Sequence, residues 1–427
     1  MKKLLACLLI AALALTSLYG LALAEDEKTT LRVLWWGSQA RHDKTMAMIE
    51  LFEQKNPDIK VEPEFTDWGG YWSKLATQVA GGLTPDVIQM DYAYVSQYAN
   101  SGVLADLTPY FESKAIDISD VADSVVKAGQ VGEGVYALST GSNACVIGYR
   151  KDIADEAGVT VPVSPTWEEL EEISKTVYEK TGRKNTQLSG ASFGESLRFY
   201  LRSYGLQAFS ADGKALGFDD PKYIVMVWER IMRAVEEGYG MAPGEETAAG
   251  TFDVFAADSW MRSFYNNQMG AMEENSGCTL TLVELPRPAD STEYPTYFKP
   301  TMFWSIGEKS EVKDAAAKFI NFFVNDTDCA DIAGTDRGLP ISSKIRDHIA
   351  PTLSAADQRV VEFMNYLSES GHTTPIMPPD PAAYGEVEKL FNEYTEQVRY
   401  GLVSDLEATA REFITEANGI LAAKAAE

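Results

Sequence analysis

The sequence has 427 residues and a formal net charge of −26 at pH 7, from 63 acidic and 37 basic side chains. This charge disfavours binding to nucleic acid and to anionic membrane surfaces. The four cysteines and three histidines show no spacing typical of a disulfide framework or a zinc site. We therefore expect free thiols, no metal and no cofactor.

The first 24 residues have the features of an export signal. Two lysines precede the apolar run Leu4–Leu18, and Ala22–Ala24 provide small residues for cleavage. The mature chain is expected to begin near Glu25 and to work in the periplasm or outside the cell. A lipid anchor at Cys7 is not expected, because this cysteine lies inside the apolar run rather than after it. No later stretch has the length and apolarity of a membrane span.

The next part of the chain alternates strands and helices. Apolar spacing predicts strands at Leu31–Trp36, Ile59–Phe65 and Pro85–Met90, with helices at Asp43–Lys55 and Gly70–Val79 between them. This β-α-β-α-β order predicts a mostly parallel sheet with helices on both faces. In such a sheet the ligand crevice lies beyond the carboxyl ends of the strands.

Helices dominate the predictions for the second half. Thr166–Tyr178 opens with a capping box, since Glu169 follows Thr166 by three residues. The proline-rich stretch Thr373–Pro381 is expected to be an extended loop. Further amphipathic helices are predicted at Ser196–Tyr204, Pro221–Glu237, Val312–Val324, Ala383–Tyr400 and Ser404–Ala423.

Several of these segments carry a family resemblance. The predicted export signal, Leu31–Trp36, Phe52–Val61 and Gly81–Val87 resemble the family 1 extracellular solute-binding proteins that feed carbohydrate ABC transporters. Later segments extend the resemblance over nearly the whole mature chain. Within the family, motifs around Trp35–His42, Thr66–Trp68 and Tyr297–Pro300 are most similar to binders of plant oligosaccharides, including oligogalacturonides.

The resemblance implies an α/β fold of two lobes, each a mostly parallel sheet flanked by helices, with sugar held between them. Three hinge crossings are expected near residues 139–141, 299–301 and 338–342. The remaining ranges divide between the lobes: lobe one comprises 25–138 plus 302–337, and lobe two comprises 142–298 plus 343–427.

A sugar site needs aromatic faces for stacking and planar polar groups for paired hydrogen bonds. Trp36 and Trp68 end predicted strands and are expected to face the ligand. The resemblance adds Trp260, Trp304 and Tyr384 as cleft aromatics, although each of these rings could instead belong to the core. The polar candidates are Asp91, Arg41, Asp67, Asn143, Glu274, Asn275 and Arg337.

Two of the polar candidates have strong structural alternatives. Asp91 suits a helix N-cap as well as a hydroxyl acceptor. Arg41, expected in the loop after the first strand, could form a surface salt bridge as readily as a contact to a hydroxyl pair or a uronate. Together with Lys299 and Arg337 it could supply the cations for a uronate ligand, but Asp67 and Asp91 favour a neutral or mixed oligosaccharide.

The resulting expectation is a monomeric, non-catalytic protein that captures an oligosaccharide and delivers it to the permease of an ABC importer. Two alternatives remain. A secreted glycosidase or lyase would use paired carboxylates, and a polysaccharide-binding module would need no transporter. The segment Gly190–Gly194 also fits the Gly-x-Ser-x-Gly pattern of hydrolases, but a polar stretch precedes it where that motif requires a buried strand.

Overall fold

Two sheets and their helices make up the part of the chain that the computed structural model describes, namely residues 28–190, 192–245, 255, 259–378 and 380–425. The predicted export signal and Cys7 lie outside these residues. Within them no disulfide joins the cysteines, as expected, and these are Cys145, Cys278 and Cys329.

In chain order the strands are β1 (Thr29–Trp36), β2 (Ile59–Thr66), β3 (Val87–Met90), β4 (Gln130–Val131), β5 (Gly134–Val135), β6 (Leu138–Ser139), β7 (Gly141–Arg150), β8 (Lys184–Asn185), β9 (Ser259–Tyr265), β10 (Leu280–Val283), β11 (Phe298–Pro300), β12 (Phe303–Ile306) and β13 (Leu339–Pro340). The longest strands are β7, with ten residues, and β1 and β2, with eight residues each.

Helices connect and cover these strands. They are α1 (Gln39–Lys55), α2 (Trp68–Ala80), α3 (Tyr92–Asn100), α4 (Thr108–Glu112), α5 (Asp123–Val126), α6 (Lys151–Ala157), α7 (Trp167–Thr181), α8 (Thr186–Ser189), α9 (Arg198–Arg202), α10 (Lys222–Glu236), α11 (Met269–Ser276), α12 (Lys313–Asn325), α13 (Thr327–Ala333), α14 (Ser343–Ile349), α15 (Ala355–Ser370), α16 (Tyr384–Arg399) and α17 (Leu406–Lys424). Short 3-10 turns lie at Lys127–Gly129, Asn266–Gln268 and Ala350–Thr352, and a π turn lies at Phe193–Leu197.

The first sheet has the strand order β2-β1-β3-β12-β6. The strands β2 and β3 both run parallel to β1, which confirms the predicted β-α-β-α-β unit. The strand β12 is antiparallel to β3 and to β6, so the complete sheet is mixed. Since β1, β2 and β3 are parallel, the residues that follow them lie along one edge of the sheet.

Both faces of this sheet are buried, which the alternation along β1 explains. Leu31, Val33 and Trp35 point into one apolar cluster, whereas Leu34 and Trp36 point into another on the opposite face. Successive side chains of a strand face opposite ways, so a strand covered on both sides is apolar throughout. The β-α-β-α-β order predicted helices on both faces, and the burial of both faces agrees with that prediction.

The second sheet has the order β10-β7-β9-β8, with β11 and β13 also paired to β7. Four of these strands are antiparallel to β7, namely β9, β10, β11 and β13. The expectation of a mostly parallel sheet in each half is therefore wrong here. Apolar spacing locates a strand but does not reveal its partner, and the partner determines the direction.

Three segments of the chain meet at the start of β7. The chain leaves the first sheet at Ser139 and enters the second at Gly141. The amide of Thr301 donates to the carbonyl of Gly141 (3.0 Å), and the Thr301 hydroxyl donates to the carbonyl of Arg337. Backbone from positions 139–141, 299–301 and 337–340 is thus hydrogen-bonded side by side.

Most helix predictions agree with the structure to within a few residues. The capping box is confirmed, because the Glu169 amide donates to the Thr166 hydroxyl (3.2 Å) and the Thr166 amide donates to the Glu169 carboxylate (2.8 Å). Residues 371–378 form neither helix nor strand, as the prolines indicate.

The helix predicted from Asp43 begins earlier, at Gln39, because Ser38 caps it. Arg41 therefore lies in the first helical turn and not in a loop.

Arg230 is a buried cation without the usual compensation. Its side chain is 2% exposed, and none of its three guanidinium nitrogens has a hydrogen-bond partner within the described part of the chain. The guanidinium lies 3.6 Å from the ring centroid of Trp167. Burial lowers the pKa of Arg230 to about 10.

We expect Arg230→Met to leave the free energy of unfolding unchanged or to raise it by up to about 2 kcal/mol, because methionine needs no hydrogen bonds.

Arg346 is the matched control for this prediction. It is equally buried, but its guanidinium donates to Asn365, Ser368 and the carbonyls of Pro340 and Ile341. Arg346→Met should lower the free energy of unfolding by about 3–5 kcal/mol, because several buried acceptors lose their donor. Urea unfolding measures this loss. Equal losses of unfolding free energy in the two variants would contradict the interpretation that Arg230 lacks compensating hydrogen bonds.

Candidate functional site

A cavity of about 730 Å³ opens beside the junction of the two sheets. Its volume lies within the range typical of small-molecule sites. The loop after β3 forms one wall. The other walls are formed by α9, β9, the β11 segment, residues 376–378 with Asp380, and the start of α16. The lining residues are Asp91, Tyr92, Ala93, Cys145, Ser192, Gly194, Arg198, Phe199, Arg262, Tyr265, Tyr297, Lys299, Pro300, Thr301, Ile376, Met377, Pro378, Asp380, Tyr384 and Glu388.

Asp91 contributes a carboxylate from the edge of the first sheet. Its Oδ1 accepts from the amide of Ala93 (2.9 Å), so it caps α3 as the alternative interpretation of the sequence proposed. The same side chain lines the cavity. A cap uses only one oxygen, so Oδ2 can still accept a hydrogen bond from a ligand hydroxyl. Capping and ligand binding are thus compatible at this position.

Tyr92, the next residue, connects the two sides of the cavity. Its hydroxyl donates to the carbonyl of Met377 (2.7 Å), which belongs to the proline-rich segment. Burial raises the pKa of Tyr92 to about 12, so the hydroxyl stays protonated and remains a donor at neutral pH.

Two tyrosines and a lysine line the opposite wall. The hydroxyls of Tyr265 and Tyr297 are 3.4 Å apart, and Lys299 Nζ lies 4.8 Å from the ring centroid of Tyr265. Burial raises the pKa of both phenols. This wall therefore offers hydroxyl donors and a cation against aromatic surface.

Arg198, Asp380 and Tyr384 form a polar group on an aromatic support. Arg198 Nη2 donates to Asp380 Oδ1 (2.7 Å), and the guanidinium carbon lies 5.2 Å from the ring centroid of Tyr384. The Tyr384 hydroxyl in turn donates to Glu388 Oε1 (2.7 Å). Burial of Tyr384, reinforced by Glu388, raises the pKa of the phenol. Donors and acceptors thus alternate along this wall, as neighbouring sugar hydroxyls require.

Trp36 and Trp68 lie at the same edge of the first sheet as Asp91 but do not line the cavity. Their ring centroids are 5.1 Å apart, and Trp72 packs against both. Trp36 is 7% exposed, whereas Trp68 is 47% exposed. Trp68 therefore presents an accessible indole face, while Trp36 mainly supports it. Asp67 is exposed and caps α2 by accepting from the amide of Gly70 (2.8 Å).

The two arginines proposed for a uronate are engaged in protein contacts. Arg41 Nε donates to Asp336 Oδ2 (3.0 Å), which is the salt bridge considered as the alternative. Arg337 is 4% exposed, and its guanidinium donates to Thr45 Oγ1 (2.8 Å) and Gln89 Oε1 (3.3 Å). Of the three cations considered in the sequence, Lys299 is the one that lines the cavity.

Trp260 and Trp304 are 0% exposed and belong to the apolar cores of the second and first sheets. Trp304 packs edge-on against Phe319 (5.9 Å) and Phe323 (5.5 Å). Both tryptophans occupy strands that are covered on each side, so neither ring reaches the cavity in this conformation. Their assignment to the cleft came from the resemblance alone.

The three remaining candidates also lie outside the cavity lining. Asn143 is half-buried on β7 opposite Lys299, and its Oδ1 has no hydrogen-bond partner among the described residues. Glu274 and Asn275 are exposed on α11. Of the candidates, the structure thus brings Asp91 and Tyr384 together in the cavity and leaves the others outside its lining.

Sequence reasoning missed several of the polar residues that face the cavity. Arg198 lay inside a predicted amphipathic helix, where a charge among apolar residues is a signal for a buried cation with a function or a partner. Tyr265 and Tyr297 were not singled out, because their segments were considered only for the family resemblance. Lys299 was considered as a cation for a uronate ligand, and it does line the cavity.

The structure offers no support for the hydrolase motif around Ser192. A strand should precede the serine, but Thr186–Ser189 is helical, and residue 191 lies outside the described residues. In the described ranges no group of three or more histidine, cysteine and acidic side chains could hold a metal ion. No helix of that part of the chain is long and apolar enough to span a bilayer.

Known proteins share this fold, and a family model matches most of the chain. Residues 47–359 match the family model described as bacterial extracellular solute-binding protein. The diacetylchitobiose binding protein DasA of Streptomyces coelicolor is 24% identical over 358 residues, which cover 82% of this chain and 80% of that protein.

Two solved structures of extracellular binding proteins have the same fold as this chain. The family 1 extracellular solute-binding protein from Alicyclobacillus acidocaldarius has a TM-score of 0.85 at 28% identity, covering 93% of this chain and 100% of that one. The periplasmic oligogalacturonide binding protein from Yersinia enterocolitica has a TM-score of 0.73 at 22% identity, with the same coverage. Because the family match extends over well more than half of its residues, the chain belongs to the bacterial extracellular solute-binding proteins, a non-catalytic family.

Proposed function

We propose that this protein binds an oligosaccharide outside the cytoplasm and delivers it to the permease of an ABC importer. The observation that carries the proposal is the 730 Å³ cavity, in which aromatic rings alternate with paired donors and acceptors. Tyr265, Tyr297 and Tyr384 supply the rings, and Arg198 with Asp380 supplies a paired donor and acceptor. Sugar rings have apolar faces surrounded by hydroxyls, so they need this combination.

Two lobes would close on the ligand. Lobe one would comprise residues 25–138 plus 302–337, and lobe two residues 142–298 plus 343–427. The hydrogen-bonded segments around Gly141, Thr301 and Arg337 support hinges near 139–141, 299–301 and 338–342. Ligand would shift the balance between open and closed forms by its higher affinity for the closed form.

Similar proteins support a sugar as the ligand. DasA is named for binding diacetylchitobiose, and the Yersinia enterocolitica protein for binding oligogalacturonides. The family name and the predicted export signal support an extracytoplasmic location. We propose that the protein acts as a monomer without a cofactor, and that its charge of −26 excludes nucleic acid as a partner.

A thermal-shift screen tests the ligand class. The panel would contain cello-, malto-, chito- and galacturonic acid oligomers from disaccharide to hexasaccharide, and xyloglucan oligosaccharides as branched ligands. A ligand at about a hundred times its dissociation constant should stabilise the protein by roughly 2.7 kcal/mol. No shift with any oligosaccharide, or release of reducing sugar during long incubation, would contradict the proposal. The second result would favour the secreted enzyme.

Asp91→Ala tests the site with a matched control. Both Asp91 and Asp405 cap a helix by accepting a backbone amide hydrogen, but only Asp91 lines the cavity. Each substitution to alanine should cost about 1 kcal/mol of stability through loss of the cap. Calorimetry should show a loss of affinity of about tenfold or more for Asp91→Ala, because a hydroxyl loses a charged acceptor, and no loss for Asp405→Ala. Equal affinities would remove Asp91 from the site.

A further inference from the structure

A second cavity of about 310 Å³ adjoins the first. We call it the side chamber. It lies between the loop 207–213, residues 377–378 and 381–383, and the carboxyl end of α17. Three residues line both cavities, namely Arg198, Met377 and Pro378. The side chamber and the main cavity are therefore separated by little more than these side chains.

Arg198 is the polar part of this shared wall. Its guanidinium carbon lies 5.2 Å from the ring centroid of Tyr384 in the main cavity and 6.0 Å from that of Phe209 in the side chamber. The residue is 9% exposed, and its Nε has no hydrogen-bond partner in the described residues. A buried donor left unpaired costs stability, so this N–H favours an incoming acceptor.

The lining of the side chamber has the same chemistry as the main cavity. Phe209 and Pro381 provide apolar surface, while Gln207 and Asp212 provide an amide and a carboxylate. Together with Arg198 these groups offer donors and acceptors around an apolar face. A single sugar ring presents the complementary pattern of C–H surface and hydroxyls.

We infer that the side chamber is an additional subsite that holds one sugar unit of the bound oligosaccharide and contacts Arg198 from the side opposite the main cavity. This inference rests on the proposed function. The unit is either the end of a chain that turns past Arg198 or a branch from a unit bound in the main cavity. In both cases the side chamber adds affinity only for ligands large enough to reach it, so it selects for size or branching.

Filling the side chamber tests the inference. Ala211 is exposed and lines the side chamber, whereas Ala422 is exposed on α17 and does not. We expect Ala211→Phe to weaken binding of the largest ligand by about tenfold, because the contacts of one subsite are lost. The affinity for a disaccharide should stay within about twofold of the wild-type value. Ala422→Phe should change neither. A loss confined to xyloglucan oligosaccharides indicates a branch, and a loss with the linear hexasaccharide indicates a chain end.

Calorimetry on wild type and both variants would use the oligosaccharide series that gives the largest thermal shift, together with the xyloglucan oligosaccharides. Equal losses at every ligand size, or no loss with Ala211→Phe, would overturn the subsite. If wild-type protein binds no oligosaccharide at all, the proposed function fails and the subsite fails with it. These results are distinguishable, because the first two require measurable binding by the wild type.

Discussion

Replacing Trp304 with alanine is expected to lower the free energy of unfolding by about 3–5 kcal/mol, the range for deleting a large buried aromatic side chain. The indole is 0% exposed and packs against Phe319 and Phe323, with the Arg337 guanidinium carbon 5.7 Å from its ring centroid. Removing it would leave a cavity in the core of the first sheet. Urea unfolding measures the loss, and Trp304→Phe should show a smaller one.

Trp68→Ala is the informative comparison. Trp68 is 47% exposed, so its removal should cost little stability. Trp68 does not line the cavity, but the sequence predicts that it faces the ligand. If it stacks on a sugar ring, its removal should weaken binding by roughly 1–3 kcal/mol. Trp304→Ala should therefore lower stability, whereas Trp68→Ala should lower the affinity for sugar. A stable Trp304→Ala protein with weakened sugar binding would show that this ring reaches the ligand after all.

Gly141→Ala is expected to destabilise the protein by about 1–3 kcal/mol or more, because the site has no room for a methyl group. A Cβ at position 141 would lie 2.1 Å from the carbonyl oxygen of Arg337. That oxygen also accepts the hydroxyl of Thr301, so relief of the clash requires all three segments to move apart. Urea unfolding measures the cost.

Gly270→Ala provides the control for backbone effects. Gly270 lies in α11, and a Cβ there meets no atom within 4 Å. Alanine is preferred over glycine in helices, so this variant should be more stable by about 0.5–1 kcal/mol. If Gly141→Ala were equally harmless, the close packing of the three segments would not be a constraint on the fold.

The sequence was a good guide where local chemistry determines the structure. Apolar spacing predicted the first three strands, Thr166 and Glu169 predicted the start of α7, and the prolines predicted the segment without helix or strand at 371–378. Each of these features depends on residues that are near one another in the chain. The segments that meet at Gly141 are far apart in the chain, and the family resemblance alone indicated them.

The remaining features depend on contacts between distant residues. The antiparallel partners of β7 come from segments more than a hundred residues away, such as β9 and β13. The same prediction of a ligand-facing ring was made for Trp304 and Trp68, yet Trp304 lies in the core and Trp68 is exposed. Arg198 donates to Asp380, and Arg202 of the same helix donates to Thr374, so residues almost two hundred positions away hold α9 at the cavity. No local pattern carries this information.

The hydrogen bond from the Tyr92 hydroxyl to the Met377 carbonyl joins a helix of the first sheet to the proline-rich segment of the other half. If the lobes separate as proposed, this bond must break whenever a captured molecule leaves. The residence time of a ligand would then depend partly on a bond in which the ligand takes no part. Tyr92 would slow the escape of different ligands by a similar factor, and would lengthen the time in which a loaded protein can find its membrane partner.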